Sequence, residues 1–186
     1  MADELYLSYW LPHFSTSNML QEFERLLKVF PFSRLSKGPS LLKVYAVEYA
    51  EPSLYEQMFP LAPEPEAVIA ASRQFLNPDC AFELETAWDL WQYTSDWALA
   101  PSRAVLHCFG PEFLNATGEH LRVNCGIDTI YLPDPQLPGS ARIVETNLRS
   151  LLKLSHDLDQ VLRPAKRMLW TESGENFADR LKHLLE

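Results

Sequence analysis

Apolar and polar residues alternate with a period of two in "ELYLSYWL". Leu5, Leu7, Tyr9 and Leu11 share one side and Tyr6, Ser8 and Trp10 the other, as side chains do along a strand. "STSN" then offers a helix cap, with Gln21 three residues beyond Asn18. Beyond it Met19, Leu20, Phe23, Leu26, Leu27 and Phe30 recur at helical spacing as far as Pro31. "LLKVYAVEY", from Leu41 to Tyr49, is rich in β-branched and aromatic residues and reads as a second strand, completing a βαβ-like unit. Four prolines interrupt "EPSLYEQMFPLAPEPE", and a short helix over about 65–76 follows, so the stretch of about 51–78 reads as a proline-rich insertion.

From Cys80 the pattern admits two readings. As a helix it groups Ala81, Leu84, Trp88 and Trp91 on one stripe. As a strand it sets Cys80, Phe82, Leu84, Trp88 and Leu90 against Glu83, Glu85, Asp89 and Trp91. The alternation is the longer of the two signals, and "SRAVLHCFG" and "HLRVNCGI" follow with turn-rich connectors such as "NATGEH". A three-stranded antiparallel meander is therefore expected. "TIYLPDPQLPGS" offers a short edge strand. A long helix over about 141–163 then carries Val144, Leu148, Leu151, Leu152, Ser155, Leu158 and Val161 on one face, and a final helix after Pro164 carries Phe177, Leu181, Leu184 and Leu185. The expected architecture is α+β: one twisted, mostly antiparallel sheet in the order β-α-β, helical insertion, β-β-β, α-α, with the helices on one face. Residues 1–186 are expected to form one domain, with the C-terminal helices at about 141–186.

Composition narrows the function. An apolar fraction of 47% with 22% charged residues is globular, and a net charge of −9 repels phosphate backbones and anionic lipids, so neither nucleic acid nor a membrane is an expected partner. The acidic start "MADELYLSYWL" lacks a basic leader, and no apolar run approaches the ~18 residues of a membrane span. Three cysteines, Cys80, Cys108 and Cys125, are too few for a disulfide framework. A cytoplasmic protein is expected, in which "NAT" at Asn115 to Thr117 carries no glycosylation signal.

Reactive side chains cluster in "LHCF" and "EHLRVNC". A metal site would need His107, Cys108, His120 and Cys125 to converge, yet strand parity sends His107 and Cys108 to opposite faces and separates His120 from Cys125. No metal is expected. With six glycines and no phosphate-loop spacing, no cofactor is expected either. Cys80 and Cys125 read as small buried hydrophobes. Glu83, Glu85 and Asp89 lie on the polar side of their strand, where Arg103 and Arg122 on neighbouring strands can pair with them.

The segment "ETAWDLWQYTSDW" brings three tryptophans and a tyrosine into thirteen residues. Parity assigns Trp88 to the core and Trp91 to the polar side. With the outward rows of the first two strands, the expected recognition surface comprises Tyr6, Trp10, Tyr45, Tyr49, Glu83, Glu85, Trp91, His107 and Arg122. The expectation is a non-enzymatic domain binding a protein partner, a second copy first among them, through an open sheet face. The alternatives are a small-molecule ligand in an aromatic-lined pocket between sheet and helices, and an enzyme using His107 with a nearby carboxylate or thiol.

Overall fold

Strict alternation over strands of up to fourteen residues leaves the chain one way to hide its apolar rows, which is to pair them edge to edge under helices. The computed structural model describes residues 2–60 and 62–185, the side chains of 182–185 excepted. The elements are β1 (Glu4–Trp10), α1 (Met19–Val29), β2 (Ser40–Ala46), β3 (Tyr55–Phe59), α2 (Pro65–Arg73), β4 (Cys80–Tyr93), β5 (Trp97–Phe109), β6 (Leu121–Ile127), α3 (Ser140–Leu162), β7 (Lys166–Thr171) and α4 (Phe177–Leu185). The seven strands form one open sheet in the order β3-β2-β4-β5-β6-β1-β7, and every neighbouring pair is antiparallel. The meander is β4-β5-β6. Four antiparallel steps separate β1 from β2, so the two run in the same direction with three strands between them, and α1 is the crossover that joins them.

One face of the sheet is sealed. Leu7 of β1, Val44 of β2, Phe82 and Trp88 of β4, Leu106 of β5 and Val123 of β6 join a single cluster with Phe23 of α1, Ile69 of α2, Leu154 of α3 and Phe177 of α4. Cys80, Cys108 and Cys125 are buried on this side. Trp88 is 1% exposed, with its ring tilted against Phe30 and Tyr131 at centroid distances of 5.9 and 6.4 Å.

Four details depart from the sequence reading. The proline-rich insertion contains a strand, β3, whose five residues lie between Pro52 and Pro60 and pair along the outer edge of β2, where a sheet tolerates proline neighbours. "TIY" forms a 3-10 turn over Asp128–Tyr131 instead of a strand, because Tyr131 turns into the core and its hydroxyl donates to the Cys125 carbonyl at 2.7 Å. The two C-terminal helices are separated by β7, a short edge strand antiparallel to β1. The buried face of α3 runs through Val144, Asn147, Leu151, Leu154, Leu158 and Leu162, leaving Leu152 and Val161 in solvent. Phe177 and Leu181 of α4 pack on the core, and the side chains of Leu184 and Leu185 lie outside the described residues.

Candidate functional site

Among the described residues the other face carries no helix. The strand registers set its side chains in rows that cross the whole sheet. One row reads Glu56, Lys43, Glu83, His107, Arg122, Ser8, Met168 from β3 to β7. The next reads Met58, Leu41, Glu85, Val105, Asn124, Tyr6, Trp170. Charges of opposite sign alternate along the first row, as cross-strand neighbours prefer.

The acidic half centres on β4. Lys43 donates to Glu85 at 2.6 Å, and Arg103 lies 4.0 Å from Glu85 and 3.6 Å from Glu4. Glu83 sits between Lys43 and His107, and burial together with the nearby Glu85 raises its pKa. His107 is 7% exposed, and burial, reinforced by the Arg122 and Arg103 charges, lowers its pKa to about 3, so it is neutral at pH 7. Its Nδ1 is hydrogen-bonded with the Tyr49 hydroxyl at 2.9 Å and lies 3.6 Å from Glu83. The carboxylate is therefore a neighbour rather than a hydrogen-bonded group.

The basic half centres on Arg122, which bonds the fully buried Glu119 carboxylate. Glu119 also accepts hydrogen bonds from Asn115 and Thr117, and from Ser8 at 3.5 Å. The guanidinium carbon lies 5.1 Å from the ring centroids of Tyr6 and Phe109 and 5.7 Å from that of Trp170. A cation between aromatic rings is held by their negative faces. The Trp170 indole donates to Ser8 at 3.0 Å, and the Tyr6 hydroxyl donates to Glu4 at 2.9 Å.

A ring cluster bounds the face at one strand end. Tyr49 is 37% exposed, yet its ring lies 4.8 Å from Tyr45 and 5.2 Å from Phe113. Val47 makes this turn at φ 68°, a region that costs a β-branched residue about 1–3 kcal/mol. Two backbone bonds hold it there, Val47 N–H to the Asp79 carbonyl and Leu114 N–H to the Val47 carbonyl, both at 2.8 Å. Gly110 fixes the facing loop, since a Cβ there would stand 2.3 Å from the Pro78 carbonyl oxygen.

Eight of the nine residues expected from the sequence share this face: Tyr6, Trp10, Tyr45, Tyr49, Glu83, Glu85, His107 and Arg122. Trp10 stands at the end of β1 under the Lys166 ammonium, 4.3 Å from its ring centroid. Trp91 lies apart, beside α3. Beyond Thr86 the β4–β5 hairpin outruns β2 as a two-stranded arm, and Asn147 of α3 takes the place of a strand, bonding both the N–H and the carbonyl of Trp91 at 2.8 Å. Trp91, Tyr93 and Trp97 there help to line a hollow of about 550 Å³ against Ile130, Leu132 and Val144. Met58, Lys43, Arg103, Glu119 and Trp170 complete the helix-free face without having been singled out as site residues. Trp170 could have been found from the alternation of Met168 and Trp170 against Leu169, whereas nothing local to Glu119 marks it as buried.

No family model, no curated protein and no solved structure matches the chain.

Proposed function

We propose that the protein is a non-enzymatic interaction domain that recognises another protein through the helix-free face of its sheet. One observation carries the reading: four helices seal one face, while the other presents exposed Met58 and the half-buried rings of Tyr6, Tyr45 and Trp170 among charged neighbours. Rings and arginine set among polar groups are what protein interfaces concentrate. Its reactive groups are occupied elsewhere, since His107 is bonded to Tyr49 and the cysteines are buried under the helices. The test is retention of a partner from an extract of the source cells. A partner should be held by wild type and by Arg149→Glu on the outer side of α3, and lost with Lys43→Glu/Arg103→Glu. Equal retention by all three proteins would place recognition off this face.

A second reading is a small-molecule ligand in the 550 Å³ hollow beneath the β4–β5 arm, a volume within the range of ligand pockets. Three aromatic side chains on its wall favour it. Quenching of tryptophan fluorescence that saturates with an aromatic ligand and disappears in Trp91→Ala would support it.

A further inference from the structure

We propose that the helix-free face packs against the same face of a second copy, about a two-fold axis running along β5. This rests on the reading of that face as a protein-recognition surface and adds the identity of the partner. β5 is the fourth of seven strands, so an axis along it leaves three strands on each side. The rotation exchanges β4 with β6, β2 with β1 and β3 with β7, and leaves every residue in its own row. It preserves the hand of the twist, so the two surfaces stay roughly parallel, as aligned sheets pack.

The rows then complement each other across the interface. In the first, Glu83 faces Arg122 of the other copy, Lys43 faces Ser8, and Glu56 faces Met168. In the second, Glu85 faces Asn124, Leu41 faces Tyr6, and Met58 faces Trp170. No off-axis pair in either row opposes like charges, and each pairing occurs twice, as an isologous interface requires. On the axis, neutral His107 lies opposite its own image, and Val105, 2% exposed, stays under its own chain's side chains. Arg103 also lies opposite its image, but it is 58% exposed and lies beside Glu4 and Glu85 of its own chain.

The exposed apolar side chains gain cover from the same operation. Met58, 70% exposed at one edge, is laid on the ring of Trp170 at the other. Six strand spacings make the face about 29 Å wide, and its two rows run roughly 14 Å along the strands. That covers about 400 Å² per copy, or about 800 Å² in all, within the range of weak, transient association.

Cysteine cross-linking tests the axis. The native cysteines are buried, so introduced thiols are the reactive ones. Within one chain Met58 and Trp170 stand on opposite edge strands, about 29 Å apart, far beyond the ~7 Å reach of a disulfide. Mixing M58C with W170C under mild oxidant should yield a disulfide-linked dimer that neither protein gives alone. E56C mixed with M168C should do the same, and spares the Trp170 indole its loss. In sedimentation, Met58→Asp should weaken wild-type association at least about tenfold. Cross-linked M58C on its own would overturn the axis. Wild type sedimenting as a monomer at high micromolar concentration would overturn the second copy, and if Lys43→Glu/Arg103→Glu still lost a cellular partner, recognition by the face would survive that result.

Discussion

Consecutive residues of β4 and β5 enter two different environments. Phe82, Leu84, Leu106 and Cys108 lie under helices with no exposure at all, and Glu83, Glu85 and His107 between them form the rows of the helix-free face. Yet the second face is not simply solvated. Ser8 and Val105 are 0% and 2% exposed, and Ser8 is bonded by the side chains of Trp170 and Glu119. The covered face gains its stability from apolar area at about 25 cal/mol per Å². The free face is held by pairs, each weak when exposed and costly to break when buried. The difference shows that a sheet face can be dry without being apolar, and that the two faces should answer differently to the same kind of damage.

Stripping the cover from the first face is the most severe way to break that contrast. Removing residues from Ala141 onward takes away α3, β7 and α4, and with them Leu151, Leu154, Leu158 and Phe177 from the common core. The remainder should lose cooperative unfolding and aggregate, as judged by a circular-dichroism melt and by sedimentation. A sharply melting, monomeric remainder would show that the helical cover is dispensable.

Next in size is Trp88→Ala, a truncation inside the covered face, expected to cost about 3–5 kcal/mol in denaturant unfolding. Trp91→Ala, three residues away on a half-buried indole beside α3, should cost under about 1.5 kcal/mol. Equal losses would mean that the arm is as much a part of the core as the sheet.

Arg122→Ala probes the free face at its driest point. It leaves the Glu119 carboxylate, which is fully buried, without its cation, and about 3 kcal/mol should be lost. Adding Glu119→Gln should recover part of that, because a neutral amide in the same place no longer needs a charge opposite it. A double mutant no better than the single would mean that Arg122 acts through its contacts with the rings of Tyr6 and Phe109.

How much of this was legible follows from where the information resides. Alternation in "ELYLSYW" and "CAFELETAWDLWQY" told the two faces apart because a strand's period is a local property, and it put Glu83 and Glu85 on the polar side, whereas the inward face of "SRAVLHCFG", and with it the side of His107, could not be read from its own pattern. It could not place Trp91, since the intrusion of Asn147 depends on how far β2 extends. β3 and β7 escaped because each is a short edge strand stabilised by its partner rather than by its own pattern. Glu119 was invisible for the same reason, as its burial is made by Ser8, Asn115, Thr117 and Arg122 closing over it.

Acid separates two titrating neighbours on the free face. The folded pKa of His107, about 3, lies below its unfolded value of 6.5, so the unfolded chain binds the proton more readily. The stability this contributes is complete above pH 6.5 and is lost as pH falls toward 3, at up to about 1.4 kcal/mol per unit. Glu83 works in the opposite direction, because its raised pKa makes the folded state the better proton acceptor as the pH falls. Melting curves of wild type and His107→Asn should therefore converge between pH 6.5 and 4. Parallel profiles would show that His107 does not carry the acid sensitivity of this face.

The smallest effect belongs to Lys43→Ala. Its ammonium donates to Glu85 at 2.6 Å, but the two side chains are 21% and 30% exposed, so water and salt screen the attraction. Glu85, in the next row, is not left alone without it, because it retains Arg103 at 4.0 Å. A loss of about 0.2–1 kcal/mol is expected at low ionic strength, shrinking further in 1 M salt, where the screening length is about 3 Å. A loss as large as that of Arg122→Ala, unchanged by salt, would mean that the acidic half of the face is as dry as the basic half. The two ends of the row would then differ in sign of charge but not in the way they are held.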